Sequence, residues 1–212
     1  NQLRHLDDQI LLAVNGFARH TPALHGVLIG YATFGIVLFG MLLAAALITV
    51  RHGTTRDLAA TGWAALAPLL AVFLNQPFGH AVHEQRPYVT HPELVRLAEA
   101  TKDFSFPSDH AVMAGAVAAA LLLAHRRLGL VACAAALLMA FSRVYIAAHY
   151  PWDVVGGLLF GALVALLFWV LLRPLLLPLT AWLRDLPGVR AVFSPQPAPA
   201  VPTRRVDPAP SG

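Results

Sequence analysis

Five long apolar stretches constrain this chain more than any other feature. Residues 26–50 and 58–78 carry no charged side chain. The stretch 111–124 is shorter and lengthens if its helix begins near Ser108. The stretch 128–141 runs on to Ile146 if Ser142 and Arg143 are included, and 154–172 closes the series. A helix needs about 20 mostly apolar residues to cross a bilayer, because hydrocarbon offers backbone N–H and C=O groups no partners. The pattern therefore predicts an all-α, polytopic membrane bundle of about five transmembrane helices. Of the 212 residues, 58% are hydrophobic and 12% charged, about half the charge of a soluble domain. The 15 Lys and Arg residues form no basic block, which excludes a nucleic-acid partner. The lone Cys133 lies in an Ala/Leu run, so neither a disulfide framework nor a Cys-based metal site is expected. No cleavable signal is expected either, since Asp7 and Asp8 interrupt the first residues.

Three regions follow. In residues 1–20, Leu3, Leu6, Ile10, Val14 and Phe17 recur at helical spacing between Asp7, Asp8 and Asn15, which predicts an amphipathic helix in the interface or packed on the bundle. Residues 21–177 form the transmembrane catalytic domain. Beyond Arg173 prolines interrupt the pattern, and residues 178–212 read as a Pro-rich, disordered cytoplasmic tail. With five spans, the loops carrying Arg51, Arg56, Arg126 and Arg127 share one side with the C-terminal segment. Short basic loops mark the cytoplasm, so the N-terminus and the long loop 79–107 are placed outside the cell membrane.

Ionisable groups at membrane depth are costly and usually functional. Here they gather at three points: Glu84 and Arg86; Ser108, Asp109 and His110; and Arg143, His149 and Asp153. Threading through the predicted spans brings all three to the outer face. Taken singly, several have plain readings. Ser108 suits a helix N-cap, Asp109 and Asp153 suit first-turn acids, and Pro151 suits the first helical turn. Capping does not explain two arginines and two histidines beside two helix N-termini. Helix N-termini attract anions, and the arginine fork matches phosphate oxygens. The three points together describe a phosphate pocket. The carboxylates are too scattered for a site holding two metal ions, and the reading requires no metal and no cofactor.

The phrases Arg86-Pro87, Pro107-Ser108-Asp109-His110, and Ser142-Arg143 followed by His149 and Asp153 resemble the three signature motifs of the type 2 phosphatidic acid phosphatase (PAP2) superfamily. Asp109 stands where many members have Gly, and Gly79 stands where the family's usual Lys precedes the first motif. The surrounding phrases resemble the bacitracin-resistance-type undecaprenyl-diphosphate phosphatases. The resemblance spans roughly residues 1–175. It implies hydrolysis of undecaprenyl (polyprenyl) diphosphate to the monophosphate through a phosphohistidine, which would recycle the lipid carrier of cell-wall synthesis.

On that reading His149 is the nucleophile and Asp153 holds its second nitrogen, as the acid of a triad does. His110 protonates the leaving oxygen. Arg86, Ser108 and Arg143 bind phosphate oxygens, and Asp109 is structural or orienting. His80 and His83 are candidates to replace the missing Lys. The loop holding Lys102, Glu93 and Glu99 is placed to cover the pocket. A homodimer is compatible with the sequence. Competing readings are a PAP2 phosphatase of phosphatidic acid or phosphatidylglycerophosphate, a lipid or anion transporter without hydrolysis, and a structural membrane subunit.

Overall fold

The computed structural model describes residues 2–193 and contains only helices among them. They are α1 (Gln2–His20), α2 (Pro22–Phe34), α3 (Ile36–Val50), α4 (Thr55–Val82), α5 (Pro87–Thr90), α6 (Asp109–Ala124), α7 (Arg126–Tyr145), α8 (Pro151–Asp185) and α9 (Pro187–Phe193). By length and composition three helices are able to cross a membrane, or up to four if the bent pair α2 and α3 makes one span. The remaining segment, α6, has 16 residues. At about 1.5 Å per residue it is some 24 Å long, against the ~30 Å of a hydrocarbon core. The five apolar stretches are thus all helical, but only three stand as single helices of spanning length.

α6 is the axis of the bundle and packs against α4, α7 and α8. Its sequence is almost entirely Ala, Gly, Val and Leu, small enough for backbones to approach. A Cβ added to Gly115 would lie 2.2 Å from Leu158 O, and one on Gly161 would lie 1.9 Å from Val112 O. No side chain larger than hydrogen fits at those two positions of the seam. Across the core, Trp63 Nε1 donates to Ala165 O at 2.9 Å and Tyr31 OH to Ala135 O at 2.8 Å. Each satisfies a polar group that lipid could not.

Two expectations need correction. The uncharged run 26–50 is two helices, bent by 56° at Gly35. Gly35 keeps a right-handed helical conformation, and a Cβ there would lie 2.5 Å from Tyr31 O and 2.7 Å from the Met139 methyl, so the bend leaves no room for a side chain. Pro174 and Pro178 do not end the last long helix, because α8 runs through both to Asp185. A transmembrane helix tolerates the lost hydrogen bonds where neighbours compensate. The region read as a disordered tail is therefore helical from 178 to Phe193 apart from one bend, and its remainder, 194–212, lies outside the described residues. Of the two readings of residues 1–20, α1 shows packing on α7 and α8, with Asp7, Leu11, Asn15 and Ala18 inward and Leu3, Leu6, Ile10 and Phe17 exposed on its outer side.

Candidate active site

The site lies at the end of the bundle where α4 finishes, α6 begins, α7 finishes and α8 begins. A cavity of about 360 Å³ is lined there by Arg86, Asp109, His110, Arg143 and His149. These five come from the loop after α4, from the first turn of α6, from the last turn of α7 and from the α7–α8 connection. Loop residues Leu97, Glu99, Asp103 and Phe104 form another wall. That loop is tied down at several points. Leu97 N and Ala98 N donate to Ile146 O at 3.2 and 3.0 Å. Asn15 of α1 exchanges two 3.0 Å hydrogen bonds with the Val95 backbone.

His149 is 2% exposed and follows Ala147, whose φ of 59° is left-handed. This αL residue ends α7 and turns the chain, at a cost of about 1 kcal/mol for a non-glycine. His149 Nδ1 lies 2.8 Å from Ser105 O. A carbonyl only accepts, so Nδ1 carries the proton and Nε2 carries the lone pair. Nε2 in turn lies 3.2 Å from a terminal nitrogen of Arg86. Burial, followed by the charges of Arg143 and Arg86, holds the imidazole pKa well below its ordinary value. The side chain is a neutral imidazole with its basic nitrogen toward the arginine-lined cavity.

Asp153 does not directly take the Nδ1 proton, as the sequence reading expected. Its Oδ2 is 3.5 Å from Nδ1, and the nearer acceptor is the Ser105 carbonyl. Ser105 Oγ bridges the gap by donating to Asp153 Oδ2 in a short hydrogen bond. Tyr150 N donates to the same oxygen at 2.8 Å, so Asp153 also caps the start of α8. Ser108 stands apart from the cavity lining. It is fully buried, its Oγ has no partner among the described residues, and its N–H donates to Asp153 O at 3.1 Å. The N-cap position is correct, but the cap is made by backbone alone.

Asp109 faces α4. Its Oδ1 accepts from Asn75 Nδ2 at 2.7 Å and from Gln76 Nε2 at 3.2 Å. Asn75 Nδ2 also donates to Pro107 O at 3.1 Å. Two amides solvate this acid beside the cavity, and no ion pair to it is made among the described residues. Arg143 donates to Ala32 O at 3.4 Å, while its buried Nε has no partner among the described residues, a donor available for an anion. Gly79 is open to a smaller neighbouring cavity that His80 and Lys102 also line. His83 packs edge-on against Phe104.

The sequence reading missed Asp103, Ser105 and Asn75. Asp103 holds Arg86 at 3.2 and 2.9 Å through both carboxylate oxygens. Burial alone would raise the Asp103 pKa, but hydrogen bonds from Thr101 and Arg86, with the Arg86 charge, outweigh it and lower it. Only Asn75, a carboxamide inside the apolar run 58–78, offered a signal in the sequence.

Held between two arginines, an oxyanion in this cavity would face a neutral imidazole inside an apolar bundle, which is the layout of a membrane phosphatase. Residues 60–175 match the model of the PAP2 superfamily. The chain belongs to that superfamily and is a membrane lipid phosphatase within it. It is similar to the undecaprenyl-diphosphatase BcrC of Bacillus subtilis, at 30% identity covering 78% of this chain and 86% of the relative. Its fold is similar to the crystal structure of Aquifex aeolicus LpxE (TM-score 0.59, 25% identity, 76% and 93% coverage). It also resembles the fold of a transmembrane PAP2 type phosphatidylglycerolphosphate phosphatase from Bacillus subtilis (TM-score 0.58, 23% identity, 79% and 84% coverage).

Proposed function

We propose that the protein hydrolyses a polyprenyl diphosphate, of the undecaprenyl type, to the monophosphate and inorganic phosphate at the extracytoplasmic face of the cell membrane. The observation that carries this reading is the orientation of His149, with Nδ1–H fixed on Ser105 O and Nε2 toward the arginines. Nε2 attacks the terminal phosphorus, forming an N–P bond as the bond from phosphorus to the bridging oxygen breaks. His110 gives that oxygen its proton. Water, deprotonated by His110, then displaces the imidazole and releases phosphate. Arg86 and Arg143 neutralise the equatorial oxygens through both displacements. Asp153, acting through Ser105, steadies the imidazolium that the intermediate requires. The name of the Bacillus subtilis relative supports a diphosphate substrate.

The test is phosphate release by the purified full chain in detergent, with a chelator present. The substrates are an undecaprenyl-type diphosphate, phosphatidic acid and phosphatidylglycerophosphate. The diphosphate is expected to turn over fastest, and His149→Ala to lower its rate at least about a thousandfold. Preference for phosphatidic acid would replace the substrate, whereas activity surviving in His149→Ala would remove the nucleophile. Binding without any released phosphate would favour a transporter.

A further inference from the structure

Every nitrogen of Arg86 is engaged. Nε and one terminal nitrogen hold the two oxygens of Asp103 at 3.2 and 2.9 Å, and the other terminal nitrogen donates to Ala148 O at 2.9 Å beside His149 Nε2. Two parallel N–H···O bonds from one edge of a guanidinium are also how arginine grips two phosphate oxygens. The Asp103 carboxylate therefore lies on the edge of Arg86 that a phosphate would use, in a cavity that Arg143, His110 and His149 share. The two partners differ sharply in burial. The Arg86 side chain is 8% accessible and that of Asp103 is 62% accessible. Arginine is fixed in the wall, and the carboxylate reaches it from the water side on a loop.

We propose that Asp103 is an internal competitor of the substrate, seated on Arg86 before the headgroup arrives, so that an anion gains this arginine only by displacing the carboxylate. The proposal rests on the reading of Arg86 as a phosphate ligand. Replacing one tethered negative charge by a single free one gains no electrostatic energy at Arg86 and Arg143. Replacing it by a doubly charged phosphate does, and the displaced carboxylate returns to water, where it is well solvated. The apparent affinity of any anion is lowered by the fraction of sites in which Asp103 is seated. The factor is common to every anion, so a dianion, which the two arginines hold more strongly, still enters where a phosphodiester falls below occupancy. A site opening on a lipid surface is surrounded by phosphodiester headgroups, and a resident carboxylate keeps them out.

The experiment compares wild type, Asp103→Asn and Glu99→Gln as purified full chains in detergent, with thermal unfolding to establish that each is folded. Calorimetry measures binding of inorganic phosphate and of dimethyl phosphate at about pH 8, where inorganic phosphate is doubly charged. Asp103→Asn is expected to bind phosphate about fivefold tighter, the fold-change of a partly exposed ion pair. Dimethyl phosphate should gain by the same factor from a weaker starting affinity. Glu99→Gln removes the same charge from the same cavity wall without touching Arg86 and should leave both affinities unchanged. Unchanged or weaker phosphate binding in Asp103→Asn would overturn the proposal and make Asp103 a positioning residue for Arg86. A gain in Glu99→Gln as large as that in Asp103→Asn would overturn it too, in favour of a general field. Neither binding measurement uses a lipid. Failure to hydrolyse polyprenyl diphosphate with these results intact sinks only the substrate reading, and normal hydrolysis with unaltered phosphate affinity in Asp103→Asn sinks only this inference.

Discussion

A histidine nucleophile needs one nitrogen committed and the other free, and His149 meets that need through a backbone carbonyl rather than a carboxylate. Asp153 stands one atom group further back, outside the cavity lining. Asp153→Asn is therefore expected to leave KM nearly unchanged and to lower kcat by roughly a hundredfold to ten-thousandfold, the range seen when a triad acid loses its charge. Steady-state kinetics on the diphosphate separates the two parameters. The depressed pKa of His149 has a thermodynamic counterpart. Below an ordinary histidine pKa of about 6.5 the unfolded chain takes up a proton that the folded chain refuses. The contribution of His149 to stability is complete above about pH 6.5 and is lost as pH falls toward the folded pKa. The unfolding temperature should fall between about pH 7 and 5, and His149→Gln should flatten that slope. Arg86, His110, Arg143 and His149 were legible in the sequence because charge at membrane depth is rare. Asp103 and Ser105 were not, since a polar residue in a polar loop looks like any other until its partner, 17 or 44 positions away, is located.

At the scale of elements, the seam between α6 and α8 sets the register of the site, because Ser108 at the start of one helix donates to Asp153 at the start of the other. Gly161→Ala would force a methyl to 1.9 Å from Val112 O, and only backbone movement relieves that clash. A loss of about 1–3 kcal/mol is expected, read as a lower unfolding temperature in detergent together with a reduced kcat. Gly40→Ala, with nothing within 4 Å of the new methyl, should change neither. Apolar length announced the helices, but it did not locate their interruptions. Gly35 keeps helical dihedrals at the bend, where Tyr31 O and the distant Met139 leave no room for a side chain, and the second of these contacts is one that no local pattern encodes. Pro174 and Pro178 mislead in the opposite direction, since their helix-breaking reputation belongs to water-exposed helices.

For the whole molecule, the convergence of four helix ends at one face leaves the basic turns around Arg51 and Arg126 at the other. The rule that short basic loops stay in the cytoplasm supports the proposed orientation, with the site outside. In a Cys133→Ser background, Glu99→Cys should react with a membrane-impermeant maleimide in intact cells, and Arg126→Cys only after permeabilisation. The reverse pattern would turn the proposed chemistry toward the cytoplasm.

The bend between α2 and α3 has a kinetic meaning. Ile29 and Thr33, just before it, close one side of the cavity, while Phe34, Ile36 and Val37 at the bend itself are bare to the surroundings. A molecule presenting its charged end here can keep its hydrocarbon among other hydrocarbons throughout the reaction. Encounter then takes place in two dimensions, and the governing concentration is the mole fraction of substrate in the micelle or bilayer. Diluting that surface with inert amphiphile, at constant bulk amount, slows turnover.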